Sequence, residues 1–211
     1  MRKDIVTTEL DVKIQQESQR IHLNEDWSAG KLRCSNRYID EFLRLGCAPE
    51  LIELKLFPTA KEITESMAAF QAVINYIPEI SLKDPDINLI SIGDGVSPRT
   101  SGLFAFRSKL NCVSVDPQLR VEKYSGLIKR VSLIKTRAEN LNIECDTAII
   151  VAVHSHANLE KSAAKIKAKR KFVIAIPCCK PQLMGAINPT IVYVDDGIHS
   201  PCRAIYIWKN V

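Results

Sequence analysis

The chain has 211 residues, a formal net charge of +5, and 46% hydrophobic against 25% charged residues. These values fit one globular domain with a substantial core and an added N-terminal segment, and they exclude a low-complexity or disordered chain. No apolar run approaches the ~20 residues that span a bilayer, the N-terminus lacks a secretory apolar stretch, and the seven Cys contain no CxxC pair, so a reducing, cytoplasmic setting without membrane attachment is expected.

Residues 1–30 are polar and weakly periodic, and read as loops or a loosely attached arm. SNRYIDEFLRL (35–45) reads as a short helix with Tyr38, Ile39, Phe42 and Leu45 on one face and Gly46 as its stop. A longer helix is expected over 59–77, where Ile63, Met67, Phe70, Val73, Ile74 and Ile77 recur near the helical period. Pro78 and SLKDPD end it. Together these segments make an expected N-terminal arm and helical cap, 1–80, ahead of an α/β domain, 81–211.

After Pro85 strands and helices alternate. INLISI (87–92), CVSVD (112–116), VSLI (131–134), DTAIIVAV (146–153) and KFVIAIP (171–177) are the expected strands. Helices are expected over 100–109, 118–127 and 159–169. The fourth strand is apolar on both faces, as a central parallel strand should be. TIVYV (190–194) and RAIYIW (203–208) have no helix of their own and suggest an antiparallel edge. The expected fold class is α/β, a mostly parallel seven-stranded sheet flanked by helices, with an antiparallel edge and an N-terminal helical extension. Ligands on such sheets bind beyond the carboxyl ends of the strands. Residues just after strands one, two, four and five should therefore share one crevice.

Gly93, Asp94 and Gly95 follow the first strand, and Asp116 ends the second. Glycine lets the backbone turn sharply and approach a ligand, and a carboxylate at the second strand's end accepts hydrogen bonds from ribose hydroxyls. The pair points to an adenosine-bearing ligand; the bland alternative is a tight turn and a surface Asp. Pro98 has no N–H to offer a pyrophosphate, and no G-x-x-x-x-G-K-[ST] run is present.

Ile92-Gly93-Asp94-Gly95 with Asp116 resembles motif I of the class I, Rossmann-like S-adenosylmethionine-dependent methyltransferases. The resemblance implies that the turn sits by the methionine part of S-adenosyl-L-methionine and that Asp116 holds the ribose. It also makes Arg137, Ala138 and Glu139 candidates for the adenine, against the alternative of a solvated loop. The chain departs from the pattern at Ser91, where family members often carry an acid, and at Ser97, where a third glycine is frequent. Asp94 would then supply the charge near the methionine ammonium. Pro98 suits a helix start. Arg99 is left open between a carboxylate, an RNA phosphate and a structural acid.

VAVHSHANL after the fourth strand and IPCC (176–179) after the fifth resemble a methyltransferase branch that includes some RNA-modifying enzymes. His154 and His156 are the candidate catalytic residues. A histidine there can act as a base, hydrogen-bond the acceptor, or orient a loop. A zinc site with Cys178 and Cys179 ranks below the reading in which these cysteines pack as small apolar residues, so no metal is expected. The basic run from Lys161 to Lys171 is either an RNA-binding surface or the solvated end of a helix. Two functions follow: a methyltransferase with RNA as the preferred acceptor, or an inactive methyltransferase-like module that binds a protein partner.

Overall fold

A computed structural model of the chain describes residues 35–178, 184–185 and 187–211. The expected arm over 1–30 and Cys179 lie outside the described residues. Seven strands form one sheet in the order β3-β2-β1-β4-β5-β7-β6. They are β1 (Ile87–Ile92), β2 (Asn111–Val115), β3 (Val131–Ile134), β4 (Ile143–Val153), β5 (Ile166–Ile176), β6 (Ile191–Val194) and β7 (Ala204–Lys209). The first five are parallel, and β7 pairs antiparallel with both β5 and β6. The chain runs outward from β1 to β3, then returns to lay β4 on the other side of β1. That reversal opens a crevice at the carboxyl ends of β1 and β4.

Among the described residues six α-helices accompany the sheet: α1 (Arg37–Leu43), α2 (Ala48–Glu53), α3 (Ala60–Tyr76), α4 (Arg99–Arg107), α5 (Val121–Tyr124) and α6 (Leu159–Ala164). Successive strand residues point to opposite faces. Leu89, Ile149 and Ile174 meet Phe42, Leu51, Met67, Phe70 and Phe104 on one face. Ile90, Ile150 and Val173 meet Leu159, Tyr206 and Trp208 on the other. The helices before residue 80 thus share one core with the sheet. In α3, Ser66, Ala68, Ala69 and Ala72 are all buried, so small side chains let this helix lie close against its neighbours.

One helix is added to those expected, and two expectations are corrected. The segment after Gly46 carries a helix, α2, because Pro49 falls in its first turn, where a missing N–H is harmless. The helix expected over 118–127 contracts to α5. The helix expected over 159–169 ends at Ala164, and β5 starts at Ile166, paired with an early extension of β4 from Ile143↔Ile166 to Cys145↔Ala168. Ile-Glu-Cys-Asp and Ile-Lys-Ala-Lys alternate along that ladder with the period of a strand, although Lys and Ala favour helices. Lys169 Nζ stands 2.7 Å from Asp146 Oδ1 across it. The basic run therefore starts at Lys161 in α6, whose charge acts on Glu139, and its remainder, from Lys165 to Lys171, lies at the amino end of β5, at the opposite end of the strands from the crevice.

α3 begins with a reciprocal cap. The Thr59 side chain accepts from Lys61 N, and Glu62 Oε2 accepts from Thr59 N at 3.1 Å. Thr59→Ala should lower stability by about 1 kcal/mol, read as a lower urea midpoint with an unchanged slope.

Candidate functional site

The turn after β1 is held by a buried carboxylate. Asp94 is 2% exposed. Its Oδ1 accepts from Thr100 N at 2.9 Å, and its Oδ2 accepts from Ser101 N at 3.2 Å, Ser101 Oγ at 2.9 Å and Ser114 Oγ at 2.9 Å. These donors belong to the first turn of α4 and to β2, where an anion complements both the free N–H groups and the helix dipole. Asp94 is thus spent on the fold, and its expected contact with a cofactor is corrected. Ser97, at the position of the third glycine, donates Oγ–H to Leu56 O at 2.6 Å and ties the turn to the segment after α2.

Gly93 and Gly95 both take positive φ, at 73° and 83°. A Cβ at Gly93 would collide with the Ser155 side chain, so this glycine is what lets the turns after β1 and β4 close together. Gly95 is open apart from Arg99 Nη1. Its amide donates to Asp116 Oδ2 at 3.0 Å, and Gln118 N donates to Asp116 Oδ1 at 2.7 Å. A carboxylate has about four lone-pair sites, so Asp116 keeps capacity to accept hydroxyl groups.

Between these turns lies a cavity of about 420 Å³. Gly93, Gly95, Arg99, Asp116, Arg137, Ala138, Glu139, His154, Ser155 and His156 are among its lining residues. Every expected site residue except Asp94 is therefore in one place. Residues after β3 join those after β1, β2 and β4. Glu139 Oε1 accepts from Asn158 N at 2.9 Å and so links the loops after β3 and β4; that hydrogen bond holds its carboxyl below the usual range.

His154 ends β4 with φ 50°, and its amide donates to Ile176 O at 2.8 Å. The imidazole turns toward α3. Its Nδ1 lies 3.1 Å from Glu65 Oε1, and Lys61 Nζ lies 3.2 Å from the same oxygen. The His154 side chain is 9% exposed and that of Glu65 is 0% exposed. Neither Glu65 oxygen, nor His154 Nε2, has a partner in hydrogen-bond geometry among the described residues. Burial pushes the Glu65 carboxyl up, while Lys61 and Arg99 pull it back. Burial, with repulsion from Lys61 and Arg99, lowers His154 from 6.5 to about 4, so the imidazole is neutral near neutral pH.

Sequence reasoning missed Glu65. It stands just before SMAAF (66–70), and the crowd of small residues was the available sign that α3 is buried nearly all round. Cys178 departs from apolar packing: its Sγ is 3.1 Å from His156 Nε2 and 3.7 Å from His154 O. Among the described residues, no group of three or more His, Cys, Asp or Glu is placed to hold a metal ion. Nor is any helix there long and apolar enough to cross a membrane.

No protein-family model matches the chain, and no curated protein matches it. Solved structures do. A SAM-dependent methyltransferase from Aquifex aeolicus aligns over 77% of this chain and 98% of its own, at 13% identity and a TM-score of 0.51. Magnesium protoporphyrin IX methyltransferase from Synechocystis PCC 6803, solved with bound SAM, aligns over 86% of this chain and 97% of its own, at 12% identity and a TM-score of 0.48. A protein assigned as a methyltransferase of an antibiotic biosynthesis pathway, from Anabaena variabilis ATCC 29413, aligns over 51% of this chain at 20% identity and a TM-score of 0.38. The chain covers 46% of that protein's length. At such identities the likeness is one of fold: the seven-stranded, mostly parallel sheet with an antiparallel edge is shared with the Aquifex methyltransferase.

Two outcomes are expected. Asp94→Asn keeps the side-chain shape but leaves donors unpaired, and should destabilise the protein by about 2–4 kcal/mol in urea unfolding. His154 has a depressed folded pKa, so in the folded state it resists a proton that the unfolded chain takes up below 6.5. Its contribution is present above 6.5 and is lost as pH falls from 6.5 towards about 4. The difference in urea midpoint between wild type and His154→Gln should shrink across that window.

Proposed function

We propose that the chain binds S-adenosylmethionine in this crevice and transfers its methyl group to an acceptor. The observation that carries the reading is Asp116, a half-satisfied carboxylate facing the cavity between a positive-φ glycine turn and the histidine-bearing end of β4. The residues present fit the cofactor. Asp116 has lone pairs for two ribose hydroxyls, Gly95 leaves the turn open, and Arg137–Glu139 border the far end. When bound, S-adenosylmethionine supplies an electrophilic methyl group on a sulfonium sulfur. The protein's part is to hold donor and acceptor in line, and alignment of this kind accounts for much of the acceleration in a displacement. His154 and His156 stand where the acceptor would approach.

RNA is carried into the proposal as an acceptor to be assayed, beside protein and small molecules. Most of the basic run gives it no advantage, since Lys165 to Lys171 fall at the amino end of β5, away from the crevice; Lys161, in α6, is the member near it. A second reading is favoured by Asp94: with that carboxylate consumed by α4 and β2, the turn presents no acid of its own to a methionine ammonium. Under it the chain is a ligand-binding module with a protein partner and no turnover.

Calorimetry decides the first step. S-adenosylmethionine or S-adenosylhomocysteine should bind the wild type in the micromolar range, and Asp116→Ala should weaken binding at least about tenfold with little change in unfolding midpoint. No heat from the wild type at millimolar ligand would refute the proposal. A radiolabelled methyl-transfer screen over RNA, protein and metabolite pools separates the two readings. Labelled product supports the transferase, and binding without product in any pool supports the module.

A further inference from the structure

The buried pair formed by Glu65 and His154 has no role in holding the fold that its contacts explain. Glu65 comes from the middle of α3 and reaches the end of β4 with a side chain that is wholly buried. One carboxylate oxygen lies 3.2 Å from Lys61 Nζ and 3.1 Å from His154 Nδ1, and neither oxygen has a partner in hydrogen-bond geometry among the described residues. A carboxyl group is seldom kept in such a place without work to do, because desolvating its ionised form is expensive and an apolar side chain of the same size would be tolerated. His154 is equally unusual. It holds a left-handed backbone conformation, which places its ring between Glu65 and the cavity, and its Nε2 is buried and unpartnered. Outliers of this kind persist where the surroundings impose them, and they concentrate at working sites.

We propose that Glu65 is a positioning residue for His154: it accepts the Nδ1–H, fixes that tautomer, and leaves the Nε2 lone pair at the acceptor end of the crevice as a proton acceptor. This rests on the methyltransferase reading of the same site. A proton acceptor serves only a nucleophile with a proton to lose, so the acceptor atom is an N–H nitrogen, an O–H oxygen or an S–H sulfur. In the step, that atom bonds to the methyl carbon as the carbon–sulfur bond breaks and its electron pair stays on sulfur. The acceptor's proton passes to Nε2, and the imidazolium so formed is balanced by the Glu65 carboxylate. The surroundings set the base's strength. Burial, Lys61 and Arg99 oppose the imidazolium, while the Cys202 carbonyl and Glu62 favour it. The proton is therefore taken weakly and given up readily.

The tautomer can be read without ligand or acceptor. In the full chain labelled with ¹⁵N-histidine, which has four histidines, long-range ¹⁵N–¹H correlation identifies His154 by its loss in His154→Gln. The expected wild-type signature is a neutral ring with Nδ1 protonated and Nε2 bare, persisting as pH falls below 6.5 towards about 4. Glu65→Leu should shift the ring towards the Nε2–H tautomer, while the His199 signals stay in place. Glu65→Gln, whose amide oxygen still accepts, should retain the wild-type tautomer and serves if the leucine variant does not fold. An Nε2–H or cationic His154 in the wild type at about pH 7, or an unchanged tautomer in a folded Glu65→Leu, overturns the proposal. Glu65 does not line the cavity, so S-adenosylmethionine affinity in Glu65→Gln should stay within about threefold of wild type; a larger loss would make Glu65 a ligand-binding group and also overturn it. Methyl recovered only on an atom with no proton to lose, such as an unprotonated ring nitrogen or a thioether sulfur, in the screen above would do the same. Failure of the wild type to bind S-adenosylmethionine overturns only the cofactor reading, because the tautomer is measured in its absence.

Discussion

The Asp94 carboxylate is the knot from which the site is hung. Four donors from α4 and β2 converge on one buried side chain that begins the turn after β1. They fix the direction in which α4 leaves, the height of β2 beside β1, and the path of the glycine turn between them. With that turn fixed, Gly95 N is aimed at Asp116 and Gly93 is pressed against Ser155. Three strands thereby deliver their carboxyl ends to one crevice at the reversal of strand order.

The N-terminal helices complete the crevice as well as covering the sheet. Leu56, after α2, receives the Ser97 hydroxyl, and Ser66 Oγ lies 3.2 Å from Thr100 Oγ1 where α3 passes α4. Gly102 permits the same approach, since a Cβ there would stand 2.6 Å from Leu56 Cδ1. The glycine absent from the turn at Ser97 is in effect replaced by a hydroxyl that binds a neighbouring segment and by a glycine in the helix that admits it. Departures from a familiar motif are thus explained by what the first 80 residues pack against, and the motif cannot be judged apart from them.

This also explains which parts were legible in the sequence. Strands β1 and β3 coincide with their expected bounds because isolated apolar runs between turn residues have one reading. The Gly93, Gly95 and Asp116 constellation was readable because its spacing is local to one βαβ unit. Glu65 was not, since its partner His154 lies far along the chain and nothing in KEITESMAAF marks Glu65, and not Glu62, as the buried carboxylate. Asp94 was misread for a related reason: an acid beside two glycines can face a ligand or turn back to cap the next helix, and only the hydroxyls of Ser101 and Ser114 decide. The basic run misled by composition, because Lys and Ala favour helices while their alternation here obeys the pleat.

The charges around His154 form a balanced set. Burial raises the Glu65 carboxyl, Lys61 and Arg99 lower it, and both cations oppose a proton on the imidazole, which Glu62 favours. Burying Glu65 alone would drive its carboxyl to protonate. Lys61 at 3.2 Å and the guanidinium of Arg99 oppose that shift, so the residue that made the glycine turn unusual is part of what counters the protonation of Glu65. Under the proposal above, this balance decides which of Oε1 and Nδ1 holds the proton between them. Arg99 opposes a proton on Glu65 and on His154 alike, and among the described residues its own Nε has no hydrogen-bond partner on the crevice wall.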